Sequence, residues 1–274
     1  MPAGPLAVRW LGYDVPKLRA GTEGIARVEL ENVGSATWRS DGRDGVQLAY
    51  HWLDPLGNPI VWDGVRSPFA RPVSPRERVE LAVTLVAPMP PGEYRLAFDL
   101  VHEHRFWFAE VGNVPLDVPV EILSRLARRG LAVRISGDPA LAERTRAALA
   151  GLEEPVTEEE AEATAYLAAG CLPAADWSRR ILDAHAEGFV AVGGSLEVEG
   201  GWRERRRLRE LEPWAPGFGR APDWQRALLC PSLLGEAPLT EVRGLPAVEV
   251  AALAGPYLCD GRIRVRLPGG RPPA

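Results

Sequence analysis

The stretch Tyr166–Trp177, YLAAGCLPAADW, is where this chain invites a search for chemistry. It reads as a short buried strand that stops at a proline and then enters a helix. In doubly wound α/β proteins, ligands and catalytic groups collect at the carboxyl ends of such strands. The residues at this end are Ala168, Ala169, Gly170 and Cys171. None is a carboxylate, and none is a ready phosphate ligand. Other reactive side chains are sparse. Cys171, Cys230 and Cys259 are far apart in sequence and odd in number, so they define neither a disulfide framework nor a metal-ligand spacing. The imidazoles are His51, His102, His104 and His185. His185 falls at a predicted helix C-terminus, where a histidine interacts with the helix dipole. Gly193-Gly194 reads as a strand-end turn. No phosphate-binding loop, complete dinucleotide fingerprint or Ser-His-Asp arrangement is present. An arginine-rich run, residues 203–209, has two readings: an exposed salt-bridged helix, or a contact for phosphate or anionic glycan.

A second set of residues offers a different chemistry. Trp62, Arg66 and Trp107 are candidates for glycan binding: a sugar ring stacks on an exposed aromatic face, and a charged side chain beside it binds hydroxyls. The run Phe106-Trp107-Phe108 cannot bury three side chains on one face of a strand. At least one ring must point to a loop, a partner or a ligand. The plainer reading of all these aromatics is core packing and turn closure.

The elements that would carry these residues fall into two halves. In the first, Ala26, Val28 and Leu30 alternate with Arg27, Glu29 and Glu31, the period of a half-buried strand. Val46, Leu48, Tyr50 and Trp52 repeat the pattern, as do Val79, Leu81, Val83 and Leu85, then Tyr94, Leu96, Phe98 and Leu100. DPLGNP, residues 54–59, is dense in turn formers. About seven short strands separated by turns predict an Ig-like β-sandwich over residues 1–123. Trp10, Trp38, Trp52, Trp62 and Trp107 are expected to supply much of its buried area. Residues 124–130 read as a basic connector. Residues 131–267 then alternate strand and helix, with Asp138 capping a helix that begins at Pro139. That order predicts a small three-layer α/β domain with a mainly parallel sheet. Residues 268–274, PGGRPPA, read as a disordered tail.

Both halves resemble known families. The residues His51-Trp52, Gly57, Asp63-Gly64, Arg66, Ala87-Pro88, Pro91-Gly92, Tyr94, Leu96, Asp99-Leu100-Val101, Glu103 and Trp107-Phe108 resemble a group of bacterial Ig-like domains. Such modules are often attached to enzymes of surface-glycan assembly, so the resemblance implies that context. The segment 166–194, through Pro173, Trp177, His185 to Gly188 and Val192-Gly193-Gly194, resembles the centre of family-two glycosyltransferases of the GT-A fold. In that family the strand ends in aspartates that hold a divalent cation against the donor diphosphate. Here those positions are Ala168, Ala169 and Gly170. Hard cations require oxygen ligands, and these side chains have none. Asp176 lies on the following helix, too far along to substitute. The stretch between the first helix and the 164–169 strand is also too short for a full nucleotide-binding half. The place of the family's acceptor-site acid is taken by Glu249, whose implied role is general base and whose plainer reading is a solvated acid.

The resemblances imply a trimmed, degenerate GT-A-like domain behind an Ig-like module. The expected function is non-catalytic: binding of glycan or of a glycan-assembly enzyme in surface-polysaccharide assembly, with no metal and no cofactor. Two alternatives are an active metal-independent glycosyltransferase using a nucleotide-sugar donor, and a structural or adhesive Ig-like interaction protein. The composition of the 274 residues, 46% hydrophobic and 25% charged, is that of a globular chain with a core. A net charge of −5 gives no field favouring nucleic acid. No run is long enough to span a membrane, and MPAGPLAVRW does not have the pattern of a secretory leader, so a cytoplasmic location is expected.

Overall fold

A computed structural model describes residues 4–198, 227–242 and 244–267. The Arg-rich run 203–209 and the tail 268–274 lie outside the described residues. The chain divides into two compact units, residues 1–124 and 125–274. Both are rich in β-structure.

The first unit holds β1 (Val8–Asp14), β2 (Leu18–Arg19), β3 (Glu23–Asn32), β4 (Val46–Leu53), β5 (Pro59–Val61), β6 (Ser67–Pro68), β7 (Arg78–Val86), β8 (Gly92–His102), β9 (Phe106–Trp107) and β10 (Leu116–Leu123). One sheet runs β1-β3-β7; the other runs β2-β10-β8-β4-β5, with β6 also paired to β4 and β9 to β8. The alternating apolar residues face each other across the gap between the sheets. Ala26, Val28, Leu30, Leu81, Val83 and Leu85 come from one sheet, and Leu48, Tyr50, Trp52, Leu96, Phe98 and Leu100 from the other. Trp38 and Phe108 close this core edge to face, with ring centroids 5.7 Å apart. Two polar ties link the sheets. The Trp52 indole donates to the Val86 carbonyl (2.9 Å), and the Tyr50 hydroxyl accepts from the Val86 amide (2.9 Å).

One departure from simple alternation directs attention to the site. Antiparallel sheets commonly leave one face to water. In the centre of β4 and β8, however, residues on both faces are buried. Ala49 and His51 of β4, and Ala97, Asp99 and Val101 of β8, point away from the main core yet are covered. The cover comes from Trp107 of β9 and from the segments that follow β5 and β9.

The second unit holds β11 (Leu131–Ser136), α1 (Pro139–Leu149), β12 (Ala163–Ala168), β13 (Leu172–Pro173), α2 (Trp177–Glu187), β14 (Ala191–Val198), β15 (Ala227–Leu229), β16 (Ser232–Leu234), β17 (Leu239–Val242), β18 (Leu245–Glu249) and β19 (Tyr257–Leu267). Asp138 caps α1 as the sequence predicts, its carboxylate accepting from the Ala140 amide at 2.7 Å. Residues 125–130 are bonded into this unit. The Arg125 amide donates to the Ala186 carbonyl, and the Ala127 and Arg128 amides donate to the Glu162 carboxylate.

The main sheet runs β11-β12-β16-β14-β19-β13. It is mixed rather than mainly parallel. β11 pairs with β12, and β14 with β19, in parallel; β16 lies antiparallel between β12 and β14, and β13 is antiparallel to β19. The apolar run 227–234 turns a corner at Cys230, whose φ is 46°, and at Pro231. Its first part joins a small antiparallel sheet, β15-β18-β17, and its second part enters the main sheet. Gly193 and Gly194 lie inside β14 and form no turn. A Cβ on Gly194 would sit 1.8 Å from the Ile263 carbonyl oxygen, so only glycine permits this approach of β19.

Candidate functional site

The carboxyl end of β12, the expected place for a donor site, is sealed. Ala168, Ala169 and Cys171 are buried. α1 lies over the end: the Thr145 hydroxyl accepts from the Gly170 amide at 2.9 Å, and the Leu141 side chain is 3.9 Å from where a Gly170 Cβ would stand. The Ala169 methyl is 3.3 Å from the corresponding point on Gly137. The fold brings Cys171 beside Cys230, a sequence-distant pair whose thiols share a hydrogen bond; none of the three cysteines is in a disulfide. A nearby cavity, bordered by Trp177, Gly194 and Cys230, measures about 10 Å³, at the threshold for a single water. Asp176 is committed to an ion pair with Arg180. Glu249 is exposed at the end of β18. Among the described residues, no group of three His, Cys, Asp or Glu side chains is arranged to hold a metal.

His185 differs from its expected role at the helix end. It is fully buried, with Nδ1 on the Phe189 carbonyl (2.8 Å) and Nε2 on the Ser232 hydroxyl (2.9 Å). Burial lowers its pKa to about 4, so the ring is neutral and carries no charge to the helix dipole. It ties α2 to β16 instead.

The aromatic candidates of the first unit do come together. The Asp54 carboxylate closes the β4–β5 turn by accepting from the Leu56 and Asn58 amides. The chain leaves β5 and folds back onto β4 at Gly64, whose amide donates to the Tyr50 carbonyl at 2.9 Å. A Cβ on Gly64 would stand 2.5 Å from that oxygen, so the residue must be glycine. This anchor lays Trp62 over His51, with rings 4.1 Å apart and 21° from parallel. His51 Nδ1 donates to the Trp62 carbonyl. The edge of His51 meets Trp107 at 4.3 Å, and Trp62 meets Trp107 at 6.1 Å. The Arg66 guanidinium lies over the Trp107 ring, 4.9 Å from its centroid.

The run Phe106-Trp107-Phe108 places its rings by using both faces of the sheet. Phe108 enters the main core, Trp107 packs with Ala49 and Val101 on the outer face, and Phe106 meets His102 edge to face at 5.3 Å. Of the three candidates, Trp62 is the open one: it is 50% exposed, against 8% for Trp107. Exposed Leu56, Ile60, Val61 and Val65 flank it in the chain.

Arg66 is held by three acceptors: Glu103 on Nε (2.7 Å), the Gly64 carbonyl on Nη1 (3.0 Å) and Asp63 on Nη2 (2.9 Å). Burial opposes its charge, but the bonds to Asp63 and Glu103 outweigh that and raise its pKa. Burial holds the His51 imidazole below the ordinary histidine value, against the opposing effect of its bond to Trp62. Asp99, behind the cluster, accepts from the Leu100 and Ala109 amides, yet burial pushes its carboxyl up to about 6.

His51, Asp63 and Glu103 were not singled out as site residues by the sequence. A signal existed for His51. With Leu48, Tyr50 and Trp52 facing the core, alternation sends His51 to the outer face. Chemically, the arrangement is a half-exposed indole backed by a buried imidazole, with a fixed guanidinium and an exposed carboxylate beside it. It can stack an apolar ring face and exchange hydrogen bonds with hydroxyl groups.

The chain is a β-rich protein of two units, and no described helix is long and apolar enough to cross a membrane. No family model matches it, and no curated protein matches it. Among solved structures it is similar to the C-terminal domain of wzt, at 12% identity over 44% of this chain and 75% of that one, with a TM-score of 0.31. A family 123 glycoside hydrolase from Clostridium perfringens matches at 10% identity over 47% of this chain and 26% of that one, TM-score 0.24. A β-glucosidase from Listeria innocua matches at 11% over 43% and 16%, TM-score 0.27. The chain thus spans about a quarter and a sixth of the two hydrolases it matches. Likenesses of this size carry no argument about function.

Proposed function

We propose that this chain is a non-catalytic, glycosyltransferase-like protein of surface-polysaccharide assembly that binds glycan on the outer face of its first unit. In this reading the first unit is an Ig-like sandwich and the second a trimmed GT-A-like frame. The observation that carries it is the half-exposed Trp62, stacked on His51 and set beside Arg66 and Trp107. Backing by a buried ring keeps the outer indole face oriented without a ligand, which reduces the ordering cost of stacking a sugar on it. The surface is open rather than enclosed. A single stacked ring gives modest affinity, so a repeating polymer, which offers many units, suits it better than a free monosaccharide.

The sealed end of β12 weighs against the metal-independent transferase. That mechanism requires a cleft near residues 168–177 with converging arginines, and methyl groups and α1 occupy the space. The adhesive reading draws on a specific feature, the exposed apolar residues Leu56, Ile60, Val61 and Val65 around Trp62. Titration with neutral oligosaccharides separates the two. The proposal expects saturable binding that Trp62→Ala abolishes, and no turnover of nucleotide sugars with or without Mn²⁺. Metal-dependent turnover sensitive to Glu249→Gln contradicts it.

A further inference from the structure

If the outer face binds glycan, its charge arrangement also selects the glycan. We infer that the Trp62 site takes neutral hexose units and discriminates against carboxylated sugars such as uronic acids. The inference rests on the proposed glycan-binding reading and names its ligand class.

An arginine beside an exposed aromatic ring would ordinarily invite an anionic sugar, because the guanidinium fork matches a carboxylate. Arg66 is already paired. Three of its five N–H groups donate, to Glu103, Gly64 and Asp63, and its charge is matched by two carboxylates. One of its faces lies over Trp107. Two carboxylates pair with one guanidinium, and burial disfavours the charged form of His51, so the charges of the cluster sum to negative at neutral pH. The more exposed carboxylate is Asp63, whose side chain is 67% exposed and directly follows Trp62 in the chain.

Only Oδ1 of Asp63 is engaged by Arg66, so the carboxylate retains capacity to accept from sugar hydroxyls. Arg66 in turn fixes Asp63 rather than the ligand. A ring stacked on Trp62 therefore meets an acceptor that rewards hydroxyl donors and repels a second carboxylate. Like charges a few ångströms apart at a wet surface account for about a tenfold affinity difference, which fades as salt screens them.

The test compares manno- and cello-oligosaccharides with oligogalacturonate of equal length, by calorimetric titration at low and high salt, on the wild type and on Asp63→Asn. The expected result is about tenfold weaker binding of oligogalacturonate at low salt, a gap that narrows with salt and narrows again in Asp63→Asn. Oligogalacturonate binding as tightly as the neutral series, or more tightly, overturns the selectivity while leaving glycan binding intact. Binding of neither series overturns the glycan-binding reading and the selectivity with it.

Discussion

Two places in this molecule have the outline of a site, and they differ in what covers them. The end of β12 in the second unit, the expected place for a donor site, is buried: Leu141, Ala169 and the Thr145–Gly170 hydrogen bond close it. The outer face of β4 and β8 in the first unit has no enclosing frame. Its cover is polar, aromatic and incomplete, ending in Trp62 with half its surface in water. A strand end without carboxylates offers a hard cation no ligand, and here α1 packs over it. A sheet face that covers a buried imidazole with a half-exposed tryptophan keeps chemistry within reach of solvent. The contrast teaches that a familiar frame is weaker evidence of a site than the state of the surface it presents.

The contrast can be broken most forcefully at Ala169. Replacing it with aspartate introduces a carboxylate at the buried strand end. The account expects a loss of at least about 3 kcal/mol, because a charge enters a packed apolar space with no partner. Urea unfolding of the variant with and without Mn²⁺ reads the outcome. A variant as stable as the wild type and further stabilised by Mn²⁺ shows that the strand end is a latent metal site.

Acid separates the regions next. The folded-state pKa of His185 is depressed to about 4, so its contribution is fully present above the ordinary histidine value and lost as pH falls from about 6.5 to about 4. The second unit is expected to lose roughly 3 kcal/mol over that interval. Asp99 works in the opposite direction. Its folded-state pKa is raised to about 6, so its contribution is present at low pH and lost as pH rises from the ordinary carboxyl value through about 6. As pH falls from 6 to 4, the protection of α2 and β16 amides, taken relative to intrinsic exchange at each pH, should drop. Over the same interval Asp99→Asn should remove a stabilising slope from β8.

Trp62→Ala is expected to cost about 2–3 kcal/mol of stability, the worth of the half of the indole that lies out of water. Its effect on binding is expected to be the largest of any single change. A variant that keeps binding shows that the stacking surface lies elsewhere. A smaller effect is expected from Arg66→Ala. It removes the cation over Trp107 and leaves the partly buried Glu103 without its cation, at a cost of about 1–2 kcal/mol. The same change should weaken oligosaccharide binding, because Asp63 loses its anchor. Stability and binding both unchanged would separate Arg66 from the cluster.

Much of the local structure was legible in the sequence. Alternation marked the buried faces of β3, β7 and β8, and Asp138-Pro139 marked the start of α1. These signals are local, and local periodicity carries them. The insertion of β16 was not legible, because three residues have no readable period and their neighbours, β12 and β14, are distant in sequence. That insertion makes the main sheet mixed. Trp62, Arg66 and Trp107 were legible as candidates by residue type, but their convergence depends on Gly64 folding the loop back against Tyr50. Glu103 was hidden as a site residue because its partner lies 37 residues away.

The central claim, that ligand binding resides on the outer face and not at the sealed strand end, is tested most directly by following the tryptophan indole N–H signals by NMR. Trp62 and Trp107 report on the first place, and Trp177, beside the small cavity of the second unit, reports on the other. The account predicts that neutral oligosaccharides shift Trp62 and Trp107 in a saturable way, and that nucleotide sugars with Mn²⁺ leave Trp177 unmoved. Saturable movement of Trp177 with a nucleotide sugar, while Trp62 stays still with every oligosaccharide, would contradict it.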